Sequence, residues 1–316
     1  MNQNQTCIDR CVAIVQGKGG VGKTSLTSNL AALVAKAGLT VLAVDTDPQG
    51  NLGRDLGLPL DDGERLLEAL RTGGEVPIIR GVREHFAGDG TAAGRLDVTP
   101  SGPSMFDLAA LATARAARNG VTLTATFRQA LSGVAGGYDL ILVDTPPGEA
   151  AVVEAVLGVS SAVLIPTRAD SASLDGLQVV AKRFVAARQT NPDLALAGVL
   201  LFAISVQGHK LGDRARARVE AILEQSAPVF TAQIRHSDTA AVDTRDHGLV
   251  VHELEGAAAK IQQDLILALR SKGPRPERLL CSDPSGLAED YQNVAAELLG
   301  RLTEIEAERA GREVAV

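Results

Sequence analysis

The stretch Gly17-Lys18-Gly19-Gly20-Val21-Gly22-Lys23-Thr24 constrains this chain more than any other. It joins two segments of different periodicity. Residues 12–15 form a short unbroken apolar run, the pattern of a strand buried on both faces. Residues 23–37 put Leu26, Leu30, Leu33 and Val34 at helical spacing and stop at Gly38. Between them, glycines let backbone N–H groups turn inward without a Cβ in the way. The helix starting near Lys23 aims its positive end at the same point. The stretch fits the phosphate-cradling pattern G-x-x-x-x-G-K-[ST] in its required strand–loop–helix context. Gly17, Lys18, Gly19, Gly20, Val21, Gly22, Lys23, Thr24 and Ser25 are therefore the expected nucleotide contacts. Lys23 is assigned to the β- and γ-phosphates of ATP and the Thr24 hydroxyl to Mg²⁺. Lys18 is a second lysine in the loop, in a chain with only seven lysines. One lysine already serves the bound nucleotide, so Lys18 is read as pointing outward, toward a nucleotide held by another subunit.

A second buried strand at 41–44 ends at Asp45, completing a β–loop–α–β unit. Further strands are expected at 140–143, 162–165 and 199–204, with another near 229–234. Helices are expected at 149–158, 171–188 and 212–225. In 171–188, Leu174, Leu177, Val180 and Phe184 share one face. This alternation predicts an α/β fold: a doubly wound, mostly parallel sheet with helices on both faces. Between Asp47 and Asp139 the pattern is weaker, with helices expected at 64–71, 104–118 and 122–132 and loops at 73–74 and 87–94. Residues 272–286 read as a linker. Residues 287–310 read as one long helix with Tyr291, Val294, Leu298, Leu302 and Ile305 on its apolar stripe.

Two more strand ends carry carboxylates. Asp45-Thr46-Asp47-Pro48-Gln49-Gly50-Asn51 follows the second strand, and residues 140–143 run into Asp144-Thr145-Pro146-Pro147-Gly148. Carboxylates at the C-terminal edge of a parallel sheet face the ligand crevice. Asp47 is assigned to the metal's water shell and to orienting an attacking water, and Asp144 to the Mg²⁺ shell. Composition narrows the alternatives. Aromatic residues are 3% and Trp is absent, which disfavours base-stacking platforms for single-stranded nucleic acid. The net charge of −7 excludes a wholly basic nucleic-acid binder but leaves room for a local patch, which 24 arginines would supply. Cys7, Cys11 and Cys281 make no disulfide or metal framework and read as reduced thiols. With no signal-like start and no apolar run long enough to span a bilayer, the chain is expected in the cytoplasm.

KGGVGKTS, DTDPQGN and YDLILVDTPPG, in that order, resemble the deviant-Walker ATPases of the ParA/MinD superfamily. The DPQGN variant looks most like the ParA (Soj) branch, the DNA-partitioning ATPases. The resemblance continues through SSAVLIPTRADSASLDGLQ, IRHSDTAAVDTRDHGLVVHE and AEDYQNVAAELLGRL, covering roughly residues 11–255 and 286–303. It implies a nucleotide-sandwich homodimer formed with ATP, in which Lys18 crosses to the partner's phosphates and Gly19 lies at the tight interface. It implies that Lys23 and Thr24 serve the phosphates and Mg²⁺ in cis, that Asp47 positions the hydrolytic water, and that Asp144 is the Walker B acid. Pro166 and Thr167 fall where the family's chain passes near the base. It further implies slow ATP hydrolysis stimulated by a ParB-type centromere-binding protein, and non-specific binding of duplex DNA that brings the ATP state to the nucleoid.

For that DNA the best cluster is Lys210, Arg214, Arg216 and Arg218, with Arg214 and Arg218 on one helical face, joined by Arg235 and Arg245. A solvated helix face is the bland alternative. The loop begins at residue 17, which leaves no room for a preceding helix-turn-helix domain, so operator-specific repression is not expected. The end of the chain mixes Glu304, Glu306, Glu308 and Glu313 with Arg309 and Arg312 and lacks an apolar face, against MinD-like membrane cycling. Positioning of a protein cargo by the same switch, or an amide-forming metabolic P-loop enzyme, are the competing readings. Residues 1–10 are expected to be flexible, 11–310 to form a single ATPase domain with an insertion at 256–285, and 311–316 to be a flexible tail.

Overall fold

The computed structural model describes residues 7–86, 92–205, 209–223, 228–271 and 279–314. Among the described residues the strands are β1 (Cys11–Ile14), β2 (Thr40–Asp45), β3 (Ile79–Phe86), β4 (Ala92–Thr99), β5 (Leu140–Asp144), β6 (Ala162–Thr167), β7 (Ala195–Ile204) and β8 (Val229–Arg235). They form one sheet in the order β3-β4-β2-β5-β1-β6-β7-β8. Every neighbouring pair is parallel except β3 with β4. The central strands β1 and β5 are buried at every residue, which is why their sequences are continuous rather than alternating apolar runs.

One face is covered by α1 (Lys23–Lys36), α2 (Asn51–Asp55), α9 (Asp238–His247), α10 (Val251–Ser271) and α11 (Ser285–Val314). The other is covered by α3 (Glu64–Thr72), α4 (Leu108–Asn119), α5 (Leu123–Ala135), α6 (Ala150–Leu157), α7 (Ser171–Ala187) and α8 (His209–Leu223). The helical stripes read from sequence are the buried ones. Leu26 and Leu30 on α1, Leu177 and Val180 on α7, and Val294 and Leu298 on α11 are all fully buried.

The stretch between Asp47 and Asp139 departs most from its sequence pattern. Residues 92–94, expected in a loop, belong to β4, while 87–91 of that loop lie outside the described residues. β3 and β4 escaped notice because their apolar residues are diluted by Arg80, Arg83, Arg95 and Asp97. These polar groups find partners in the fold: the fully buried Asp97 accepts from Arg95 Nε at 2.8 Å, from Tyr138 Oη at 2.8 Å and from the Gly81 amide at 2.9 Å. Gly94 has its own reason to be glycine, since a Cβ there would lie 2.0 Å from the Ala35 carbonyl oxygen.

The described N-terminal residues are packed more closely than expected, and the last helix runs further. Cys7 and Ile8 are buried, and the Ile8 amide donates to the Val159 carbonyl at 2.8 Å, while residues 1–6 lie outside the described residues. α11 continues through Val314, into the segment expected to be a flexible tail. Arg10 clamps Glu306 on α11 through two hydrogen bonds of 2.5 and 2.9 Å. Residues 256–271 of the segment expected as an insertion continue helix α10, and 272–278 of the linker lie outside the described residues. Where the chain returns, the buried carboxylate of Asp243 accepts from the amides of Leu280 and Cys281 at 3.0 and 2.7 Å.

α10 is anchored at its start. Glu253 receives Arg83 from β3 at 2.6 and 3.0 Å. Beside it, His252 is held neutral: burial first, then the cations Lys36 and Arg83 and its neighbour His85, push its pKa down to about 4, against the pull of Glu253. A histidine that resists protonation when folded but titrates near 6.5 when unfolded contributes stability above pH 6.5, and that contribution is lost as pH falls toward 4. The urea midpoint is therefore expected to fall between pH 6.5 and 4, and less steeply in His252→Asn than in the parent. Phe127 on α5 is fully buried, and Phe127→Ala is expected to cost about 3–5 kcal/mol in the same denaturation assay.

Candidate active site

The sheet gathers the C-terminal ends of β1, β2, β5 and β6 along one edge, and the residues singled out by the sequence meet there. Gly20 and Gly22 adopt left-handed backbone conformations, with φ of +73° and +88°. Gly22 is the N-cap of α1, whose first amides receive no side-chain cap among the described residues. Those donors, with the positive end of the helix, are free to hold an anion. Val21 is fully buried and pins the loop to the core.

Lys23 is 6% exposed, and its Nζ donates to the Lys18 carbonyl at 3.3 Å. Burial lowers its pKa, and the nearby Asp144 and Asp47 oppose that shift. Thr24 Oγ1 donates to Asp144 Oδ2 at 2.7 Å. The other oxygen, Asp144 Oδ1, is buried with no hydrogen-bond partner among the described residues. Burial drives Asp144 up to about 7, and Asp45 is raised as well, by its own burial and by Asp144. An orphaned carboxylate oxygen next to a threonine hydroxyl is a hard-oxygen pair of the kind Mg²⁺ takes, leaving its other positions to water and phosphate. The donor set fits that ion. Asp45 itself is occupied structurally, accepting from the amides of Asp47 at 2.9 Å and Leu52 at 3.1 Å. Asp47 follows in the same turn, with Oδ1 accepting from the Gln49 amide at 2.9 Å.

Lys18 extends from the loop to Asp170, with its Nζ 2.7 Å from Oδ1. Asp170 also caps α7, accepting from the Ser173 amide at 2.9 Å, and the lysine hydrogen bond is the main cause of a pKa lowered to about 2. Pro166 and Thr167 lie at the end of β6, but they do not face outward. Thr167 is fully buried with its hydroxyl toward the Ser173 carbonyl, and the Pro166 carbonyl accepts from Gln16. Pro166 is thereby tied to the root of the loop through Gln16, and Thr167 to the first turn of α7.

Three residues of the site were not singled out from the sequence. Buried Gln16 accepts from the Gly17 amide at 2.8 Å and donates to the Pro166 carbonyl at 3.2 Å, tying the loop's root to β6. Phe202 on β7 packs on the loop so closely that a Cβ on Gly22 would lie 2.2 Å from its ring. Asp170 had a readable cue, since Asp-Ser-Ala-Ser before an apolar helix is an N-cap pattern.

Among the residues assigned to DNA, Arg214 and Arg218 project from α8 into solvent. Arg216 is half-buried and donates to the Thr231 carbonyl at 3.1 Å. Lys210 lies in the first turn of α8, and its side chain is outside the described residues. Arg235 is held by Asp290 through bonds of 2.7 and 2.8 Å, and Arg245 by the buried Asp55 at 3.2 Å. Those two guanidinium groups are neutralised within the chain, so the available positive surface of this set narrows to α8.

A buried strand, a left-handed glycine loop, an uncapped helix and a Thr–Asp pair define a P-loop nucleotide-binding protein. A family model described as an AAA domain (AAA_31) matches residues 9–196, and the chain belongs to that family, as a ParA-type P-loop ATPase. It is 33% identical to the chromosome partitioning protein ParA of Myxococcus xanthus over 196 residues, covering 61% of this chain and 65%, just under two thirds, of that relative. Two solved structures share the fold. An ATP complex of a Cyanothece McdA variant matches with a TM-score of 0.67 at 20% identity, over 93% of this chain and 97% of the other. The pNOB8 ParA bound to nonspecific DNA matches with a TM-score of 0.59 at 17% identity, over 94% and 99%.

Gly22→Ala tests the loop geometry. A left-handed alanine costs about 1–2 kcal/mol even before the Phe202 ring is displaced. Thermal stability and ATP affinity are both expected to fall, affinity by about tenfold or more, read by melting and by titration with a fluorescent ATP analogue.

Proposed function

We propose that this chain is a slow, partner-stimulated ATPase that dimerises with ATP, binds duplex DNA without sequence preference, and segregates DNA with a ParB-type partner. The observation that carries the reading is the Thr24–Asp144 pair with its unpartnered oxygen, beneath a loop that presents one lysine inward and one outward.

In this reading the amides of residues 17–25 and Lys23 hold the triphosphate of ATP. Mg²⁺, when bound by Thr24 and Asp144, supplies positive charge next to the transferred phosphoryl group. Asp144, whose charge burial disfavours, is ionised when it serves as that ligand. Lys18 leaves Asp170 and reaches across to the nucleotide of a second copy, with Gly19 at the contact. Asp47 orients the attacking water. Most of the rate enhancement is electrostatic positioning, as in other phosphoryl transfers. Dimerisation doubles the Arg214 and Arg218 surface, and phosphate contacts of this kind need clustered cations rather than a basic protein. The name of the Myxococcus relative and the DNA in the pNOB8 ParA structure support partition and DNA binding as the role. No helix among the described residues is long and apolar enough to cross a membrane.

The deciding experiment measures binding to random duplex DNA without nucleotide, with ADP and with ATP, across a salt series. Binding is expected only with ATP, falling steeply with salt, and absent in Lys18→Ala. Arg214→Ala with Arg218→Ala is expected to reduce the log–log salt slope by about 2 to 4 while leaving nucleotide binding intact. Unchanged salt dependence would remove α8 as the DNA surface. Asp47→Ala is expected to accumulate an ATP-bound dimer in size-exclusion chromatography, and normal turnover by that variant would contradict the role given to Asp47.

A further inference from the structure

A third cation stands on the rim of the loop, and the family resemblance gives it no role. Arg168 follows the last residue of β6, and β6 lies directly beside β1, so the two strand ends open onto the same crevice. Its Nη1 donates to the Gly20 carbonyl at 3.3 Å, in an exposed position. Among the described residues it makes no ion pair. Two neighbouring cations contrast with it: Lys18 is matched by Asp170 at 2.7 Å, and Lys23 is buried near Asp144 and Asp47. Arg168 therefore rests on a neutral acceptor, by a long bond, at the mouth of a cradle whose amides are free for an anion.

A guanidinium is permanently charged, and its fork of donors matches phosphate oxygens. A charge-assisted bond to phosphate is roughly twice as strong as one between neutral groups. The exchange from the Gly20 carbonyl to a phosphate oxygen is thus favourable. We propose that Arg168 is a further phosphate-directed residue of this site, leaving Gly20 to engage the terminal phosphate of ATP and so distinguishing ATP from ADP. This rests on the reading of residues 17–25 as the ATP site. The phosphate is presented either by the same loop or by that of a second copy, and the chemistry is the same in both.

The test measures dissociation constants for ATPγS and for ADP, each with Mg²⁺, in the parent, Arg168→Ala and Arg168→Lys. Arg168→Ala is expected to weaken ATPγS by about tenfold or more and ADP by less than about twofold, with Arg168→Lys in between. Mixing Arg168→Ala with Lys23→Ala then separates the two sources. Recovery of ATP hydrolysis in the mixture assigns Arg168 to the partner's nucleotide, because one subunit supplies the intact loop and the other the arginine. No recovery assigns it to its own loop. Equal weakening of both nucleotides would make Arg168 only a brace for Gly20 and overturn the proposal, as would no weakening of either. A parent protein that binds neither nucleotide would instead overturn the ATP-site reading itself.

Discussion

Helix α1 starts on a left-handed glycine with, among the described residues, no side chain capping its first amides and no acidic residue in its first turn. This is a costly way to begin a helix unless an anion completes it. The surroundings hold the arrangement in place. Val21 is buried beneath the loop, Gln16 ties its root to β6, and the Phe202 ring leans on Gly22. The loop is a preformed cradle whose missing cap is the ligand. The order of the sheet serves the same need, since β1 stands between the strand that supplies Asp144 and the strand that braces the loop through Pro166.

The charges around the cradle are out of balance in a consistent direction. Burial pushes Lys23 toward its neutral form and pushes Asp144 and Asp45 toward theirs. A low-dielectric pocket with several carboxylates is poorly satisfied by one buried lysine. A divalent cation and a polyphosphate arriving together relieve both penalties at once. Departures from good local satisfaction are expected at functional sites, and here the orphaned Asp144 oxygen marks the place.

Away from the crevice many polar groups are well matched, and the matching sorts structural cations from available ones. Arg83, Arg235 and Arg245 have carboxylate partners that join separate elements: β3 to α10, β8 to α11, and α9 to α2. Arg214 and Arg218 on α8 extend into solvent. A positively charged run in a sequence says nothing about this division, because it depends on which acidic residue another part of the chain brings close.

The amino-acid sequence by itself determined the class of fold and much of what meets at the glycine loop. Buried strands read as continuous apolar runs and helices as stripes, and the glycine pattern has few physical uses. β1, α1, β2, β5 to β8 and the grouping of Lys23, Thr24 and Asp144 were therefore legible. So was α11, through its stripe from Tyr291 to Leu302. Tertiary structure alone decided the rest. β3 and β4 were hidden because their charged residues are satisfied by partners such as Tyr138 and Glu253, far away in the chain. Residues 8 and 10 are held in place because the Val159 carbonyl and Glu306 receive them. Asp170 and Gln16 became site residues through long-range contacts, Lys18 with Asp170 across 152 positions and Gln16 with Pro166 across 150. Local periodicity reports how a segment meets solvent and core. It does not report which distant side chain will complete a hydrogen bond, and that pairing exists only once the sheet has set its strand order.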